Sequence, residues 1–172
     1  MEMIKKKKGF TLIELMIVLA IIAILAVVLI PKSQIFKNNS KNAGVITNVN
    51  TVRAYLETKV TNTSGINAYL TTADLTSAFA GAFNTGSSST DKLINPFTNI
   101  SGAGIGYAYE IISAPTTDSS ISSATTEANV KADAGSSFTG KKGEVIVVVY
   151  SNGYGVVGID SGESATQAFI VQ

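Results

Sequence analysis

The 172-residue chain has no cysteine, no histidine and no tryptophan, three prolines, and a single arginine, Arg53, beside twelve lysines. Each absence excludes something. Without cysteine, no disulfide can staple a carboxy-terminal region. Without cysteine and histidine, nucleophile pairs of the Ser/His and Cys/His kinds are impossible, and the commonest metal ligand and general base are missing. No phosphate-cradling loop of Walker type is present, and no two acids share a spacing recognisable for acid–base work. Gly102-Ala-Gly104-Ile-Gly106 precedes a strand pattern rather than opening a helix, so it reads as a turn. Nothing here points to an enzyme, and no cofactor is expected.

What is present is concentrated at the front. Four lysines at 5–8 and Gly9 lead into a 21-residue stretch, 10–30, whose one charged residue is Glu14. As a helix it spans about 31 Å, enough to cross a bilayer core. The lysines place its amino end on the cytoplasmic side, so the bulk of the chain lies outside. The apolar core is longer than the 7–15 residues typical of a cleaved secretory signal, and no small-residue cleavage site follows it. A plain anchor accounts for the lysines and the apolar run but gives Glu14 no role. A carboxylate near the edge of the membrane is tolerable there, yet becomes expensive in a dry bundle without a partner.

The run Gly9-Phe10-Thr11-Leu12-Ile13-Glu14 after the lysines resembles the class III signal of type IV pilins, closely over about the first 30 residues. The resemblance implies cleavage by a prepilin peptidase between Gly9 and Phe10, and N-methylation of Phe10. It implies a filament core of packed helices in which Glu14 meets the Phe10 amine of its own chain or a neighbour. Pro31 falls where such proteins carry a helix-breaking proline, and loss of an amide donor there favours a kink or break. Many pilins carry a second proline about 20 residues further on. Thr51 stands there in this chain, which argues against a second bend, although Gly44 could soften the helix.

The expected fold is α+β: a long N-terminal helix packed against a 3–4-stranded antiparallel sheet, the lollipop shape of pilins. The expected divisions are a leader (1–9), a membrane and filament-core half-helix (10–31), an amphipathic half-helix (32–62) and a globular head (63–172). Within the head, 63–103 connects helix to sheet, and 104–172 supplies the sheet and C-terminal loops. Val45, Val49, Val52, Leu56 and Val60 recur at steps of 3 and 4, with Ile46 widening the stripe, and should pack on the head. Thr63-Ser64-Gly65 should end this helix. A second helix should start at a Thr72 cap and run to about Phe83. The Asn95-Pro96-Phe97 segment is a turn. Strands are expected at 105–112, 144–150, 154–160 and 168–171, with Asn152-Gly153 as a positive-φ turn in the clearest hairpin. Residues 113–143 read as a long loop with a short helix around 125–133.

Weaker signals in the head have simpler readings. Asp160-Ser161-Gly162-Glu163 offers oxygens to calcium, but calcium takes six to eight, so a solvated turn is preferred. Asp118, Glu127 and Asp133 are equally nonspecific, and no metal site is expected. The Ser/Thr-rich loops at 85–90 and 113–126 could carry sugars, though loop composition alone explains them. From Lys32 to Asn62, five cations against one acid give +4; from Thr63 on, four lysines against nine acids give −5. Basic helices and acidic heads of adjacent subunits would attract. A negative head repels phosphate, so no nucleic acid is expected.

These features predict a structural pilus subunit that pairs with copies of itself, resides in the cytoplasmic membrane before assembly and on the cell surface after it, and serves motility, adhesion or biofilm formation. Its other partners are the prepilin peptidase and the pilus assembly machinery. The alternatives are a pseudopilin of a type II secretion system and a membrane-anchored adhesion domain that never polymerises.

Overall fold

The computed structural model describes residues 9–83, 93–116 and 119–172, and only the backbone of Pro31. Helix α1 runs Leu12–Glu57. The chain divides into two compact units, 1–38 and 39–172.

In the first unit, α1 carries the apolar stretch. Every described side chain from Leu12 to Ile30 is exposed, Leu19, Ile22 and Leu25 each by more than half. The helix is long and apolar enough to cross a membrane by length and composition. Residue 31 lies inside the helix, and the Ser33 hydroxyl donates to the Ile30 carbonyl at 2.7 Å.

The second unit begins on the remainder of α1. Val45, Val49, Val52 and Leu56 are all at most 1% exposed, as their spacing predicts, while Ile46 is half exposed. The helix stops at Glu57, five residues before the expected boundary. The Thr58 hydroxyl and amide both bond the Tyr55 carbonyl, at 2.6 and 3.1 Å, closing a tight last turn. Thr61–Thr63 (β1) and Ile66–Ala68 (β2) then form an exposed antiparallel hairpin. Ser64 and Gly65, expected to end the helix, are its turn, both at positive φ. Thr, Asn and Ser offer no apolar stripe to extend the helix, and the Asn62 amide bonds Asn67 across the strands.

Helix α2 covers Thr72–Phe83 as expected. Its cap is one residue earlier, however: the Asp74 amide donates to the Thr71 hydroxyl, which donates back to the Asp74 carboxylate. Leu75, Phe79 and Phe83 are its buried stripe. Phe79 and Phe83 meet Tyr55 and Tyr109 edge-to-face at 4.9–6.4 Å between centroids.

The main sheet has the order β3-β4-β5-β6, with β3 Tyr109–Ser113, β4 Val145–Tyr150, β5 Gly153–Ile159 and β6 Ala165–Val171. It is mixed rather than antiparallel throughout. β3 pairs with β4 in parallel, and the other two pairs are antiparallel. Parallel neighbours require a long crossover, and residues 114–144 supply it, including helix α3, Glu127–Ala134. That helix packs on β4, β5 and β6. On one sheet face Val145, Val147 and Val149 join the stripe of α1 and the apolar side of α2; on the other Ile146, Val148 and Tyr150 join Val130 and Ala134 of α3. A strand covered on both faces reads as an unbroken apolar run, and Val-Ile-Val-Val-Val-Tyr does.

Two glycines of β5 permit the close approach on either face. A Cβ at Gly158 would stand 2.7 Å from methyls of Val45 and Val49 on α1, and one at Gly155 would stand 2.5 Å from Val130 on α3. Gly44, expected to soften α1, instead lies against the Pro96 ring.

Candidate functional site

The residues expected to matter at the front of the chain fall at the start of α1. Gly9 and Phe10 precede the helix, and Phe10 is 92% exposed. Thr11 then organises the helix end. Its amide donates to Glu14 Oε2 at 2.8 Å and its hydroxyl to the same oxygen at 2.7 Å, while the Glu14 amide lies 3.3 Å from the Thr11 hydroxyl. This is a reciprocal capping box, Thr-x-x-Glu, which satisfies amides that a helix terminus leaves bare. The Thr-x-x-Glu spacing is legible in the sequence, where the charge of Glu14 inside an apolar run masks it. Glu14 therefore has a local partner in Thr11. It is not an acid without a role in a simple anchor, as the charge argument alone implied. The lysines at 5–8 lie outside the described residues.

The cations of the amphipathic stretch are mostly engaged locally. Lys41 bonds the Phe97 carbonyl and lies 5.0 Å from that ring's centroid. Arg53 pairs with Glu57 and sits over Phe169, and Lys59 sits over Tyr55. Lys32 and Lys37 are exposed.

The Asp160 turn uses its oxygens on its own backbone. Asp160 Oδ1 accepts from the Gly162 and Ser164 amides at 2.8 and 2.9 Å, and Glu163 Oε1 accepts from the Gly140 amide. Asn42 of α1 clamps the turn, accepting from the Ser161 amide at 2.9 Å and donating to the Ser161 hydroxyl. Its geometry is that of a docking turn. Among the described residues no three acids cluster as a metal site would need. Asp133 accepts from the Tyr150 hydroxyl at 2.7 Å, and Asp118 lies outside the described residues.

Of the serine- and threonine-rich loops, 85–90 lies outside the described residues. The other is pinned at Ile121, whose amide donates to Asn152 Oδ1 and whose carbonyl accepts from Asn152 Nδ2. Asn152 is absent from the positive-φ residues, so it serves this clamp rather than a mirror-image turn.

Sequence reasoning also missed a polar hub inside the head. Asn95 is fully buried. Its Nδ2 donates to the carbonyls of Gly106, Tyr107 and Lys142, and its Oδ1 accepts from the Phe97 and Thr98 amides. The adjacent Glu144 is also fully buried, immediately ahead of β4. Its Oε2 accepts from the Gly106 amide at 3.2 Å, and its Oε1 has no hydrogen-bond partner. Burial pushes its pKa up to about 7 and the Glu110 charge adds to the rise, while the Gly106 amide and Lys141 oppose it. An acid flush against a strand covered on both faces was the available signal.

Comparison with known proteins bears on the amino-terminal region. Residues 4–30 match the prokaryotic N-terminal methylation motif. A type IV major fimbrial protein FimA of Dichelobacter nodosus is 37% identical over 84 residues, covering 49% of this chain and 54% of that protein. A second FimA from the same organism is 48% identical over 52 residues, 30% of this chain and 33% of the relative. A fimbrial protein of Pseudomonas aeruginosa is 41% identical over 56 residues, 33% of this chain and 36% of the relative. The matches thus span about half the length of these curated relatives or less. No solved structure matches.

Proposed function

We propose that this chain is a structural subunit of a type IV pilus, made as a membrane-anchored precursor and polymerised through its N-terminal helix. The observation that carries the reading is the placement of Gly9-Phe10 just ahead of a helix that buries none of its apolar side chains between Leu12 and Ile30. Such a surface needs lipid or other helices around it, and the methylation motif and the similarity to fimbrial proteins support the second destination as well as the first. In this reading the prepilin peptidase cuts between Gly9 and Phe10 and methylates the Phe10 amine. The new cation appears one residue before Thr11, beside the carboxylate that Thr11 holds. In the filament core, Glu14 is neutralised by that amine, from its own chain or a neighbour. The segment around Ala23–Pro31 unwinds as subunits pack, with Pro31 as the kink residue. Exported filaments would serve surface motility, adhesion or biofilm formation.

The deciding measurement is the intact mass and amino-terminal sequence of extracellular filaments. The reading expects a chain that begins at methylated Phe10. Secreted fibres that retain residues 1–9 would overturn it.

A further inference from the structure

The buried hub of Asn95 and Glu144 lies outside the N-terminal helix that the proposed function uses. Glu144 is a carboxylate with no exposed surface, one orphan oxygen and one backbone donor. That donor belongs to a glycine-rich turn: Gly102, Gly104 and Gly106 all take positive φ, a conformation few other residues adopt. The same turn carries Ile105 and Tyr107, which are 66% and 41% exposed. Asn95 and the Thr98 hydroxyl bind the Gly106 carbonyl, so Glu144 holds the amide side of a peptide pair whose carbonyl side is held independently.

We propose that Glu144 is a proton-operated latch on the glycine turn 102–107: protonated, it stays buried and holds Gly106; deprotonated, it draws the turn open to reach water. A neutral carboxyl tolerates an unpaired oxygen in a buried site far better than a carboxylate does. The surrounding charges do not rescue the anion. Glu110 on β3 raises the cost, and Lys141, in the loop before β4, offsets only part of it while its ammonium is paired with Glu110. Lys142 is exposed. On α1, Lys41 is engaged with Phe97, and after β5 the Asp160 Oδ1 is taken by two amides.

The sign follows from linkage. Glu144 has an ordinary value of 4.5 when open and about 7 when closed. The open form therefore binds fewer protons between those values, and opening grows as pH rises through the window. The growth approaches tenfold per pH unit. It levels off above about 7, where both forms are charged. The latch is tightest on the acid side.

The test is amide hydrogen exchange on the full-length chain in detergent, read by mass spectrometry on peptides covering 102–107. Wild type and Glu144→Gln are compared at each pH from 4.5 to 9, which cancels the intrinsic pH dependence of exchange. The expected wild-type-to-variant ratio of opening rises steeply to about pH 7 and then stays flat, while peptides from β4 and β5 keep a constant ratio. A ratio for 102–107 that is independent of pH overturns the latch. Should Glu144→Gln fail to fold, Glu110→Gln takes its place. Removing that charge and freeing Lys141 must move the plateau of opening to lower pH, and an unmoved plateau overturns the proposal equally.

Discussion

Helix α1 contains two apolar stretches that obey opposite rules. Between Leu12 and Ile30 nearly every residue is apolar and none is buried; between Val45 and Leu56 the apolar residues at steps of 3 and 4, Val45, Val49, Val52 and Leu56, are at most 1% exposed, while Ile46 beside them is half exposed. The first stretch has no polar face, so no single protein surface could satisfy it, and its solvent must be apolar all round. The second has a narrow stripe matched to one sheet face, where Gly158 lets the Val45 and Val49 methyls approach. Apolarity in the first stretch selects an environment; in the second it specifies a fit.

The sharpest way to break that contrast is at Glu14, the one charge in the first stretch. Two explanations for it now compete. The capping box needs an oxygen that accepts from Thr11, and a glutamine supplies one. Pairing with a cleaved amine needs a negative charge, which a glutamine lacks. Glu14→Ala removes both, and Glu14→Gln removes only the charge. Both variants should remain in the membrane fraction, and both should abolish filaments in electron micrographs. Filaments from Glu14→Gln but not from Glu14→Ala would assign the residue to helix capping instead.

The next effect in size compares one truncation in each stretch. Leu56→Ala empties a fully buried site between α1 and the main core and should cost about 2–5 kcal/mol of head stability. Ile21→Ala, at a position 52% exposed, should leave thermal unfolding of the same full-length chain in detergent unchanged. Equal shifts would mean that the two stretches are not energetically distinct.

Much of this was legible in the sequence, and the residues say why. Periodicity gave the buried stripe of α1, because a 3.6-residue repeat leaves few other choices. The cap signal at Thr72 gave α2, and the two apolar runs flanking Asn152-Gly153 gave the hairpin of β4 and β5. Periodicity overran α1 at Val60, because one more apolar residue fell in step while Thr61 to Thr63 were turning into a hairpin. The parallel pairing of β3 with β4 was not visible, since strand direction is set by where residues 114–144 return the chain and not by either strand's own residues. Asn152 shows the limit of turn chemistry. Asn-Gly suggested positive φ, whereas the side chain is spent on Ile121, 31 positions away in sequence. Asn95 and Glu144 were hidden for the same reason: a buried polar residue is recognised by its partners, and those lie in distant loops.

The smallest effect tests whether the exposed side of the second stretch adds anything to its buried stripe. Arg53 Nε lies 3.0 Å from Glu57 Oε1, with side chains 43% and 52% exposed. Such an i,i+4 pair contributes about 0.3–0.5 kcal/mol, and the order here, cation first, is the weaker one along a helix. Arg53 has a second contact, with its guanidinium 5.1 Å from the Phe169 ring centroid on β6. A cation over a ring at the protein surface contributes about 0.5–1 kcal/mol, Phe169 itself being partly buried, and the arginine stem covers apolar surface besides. Glu57→Ala should therefore cost less than Arg53→Ala, and only the part shared in a double-mutant cycle should fade as salt is raised. If the two substitutions cost the same and vanish together at high salt, the ring contact contributes nothing, and α1 is held to the sheet by its buried stripe alone.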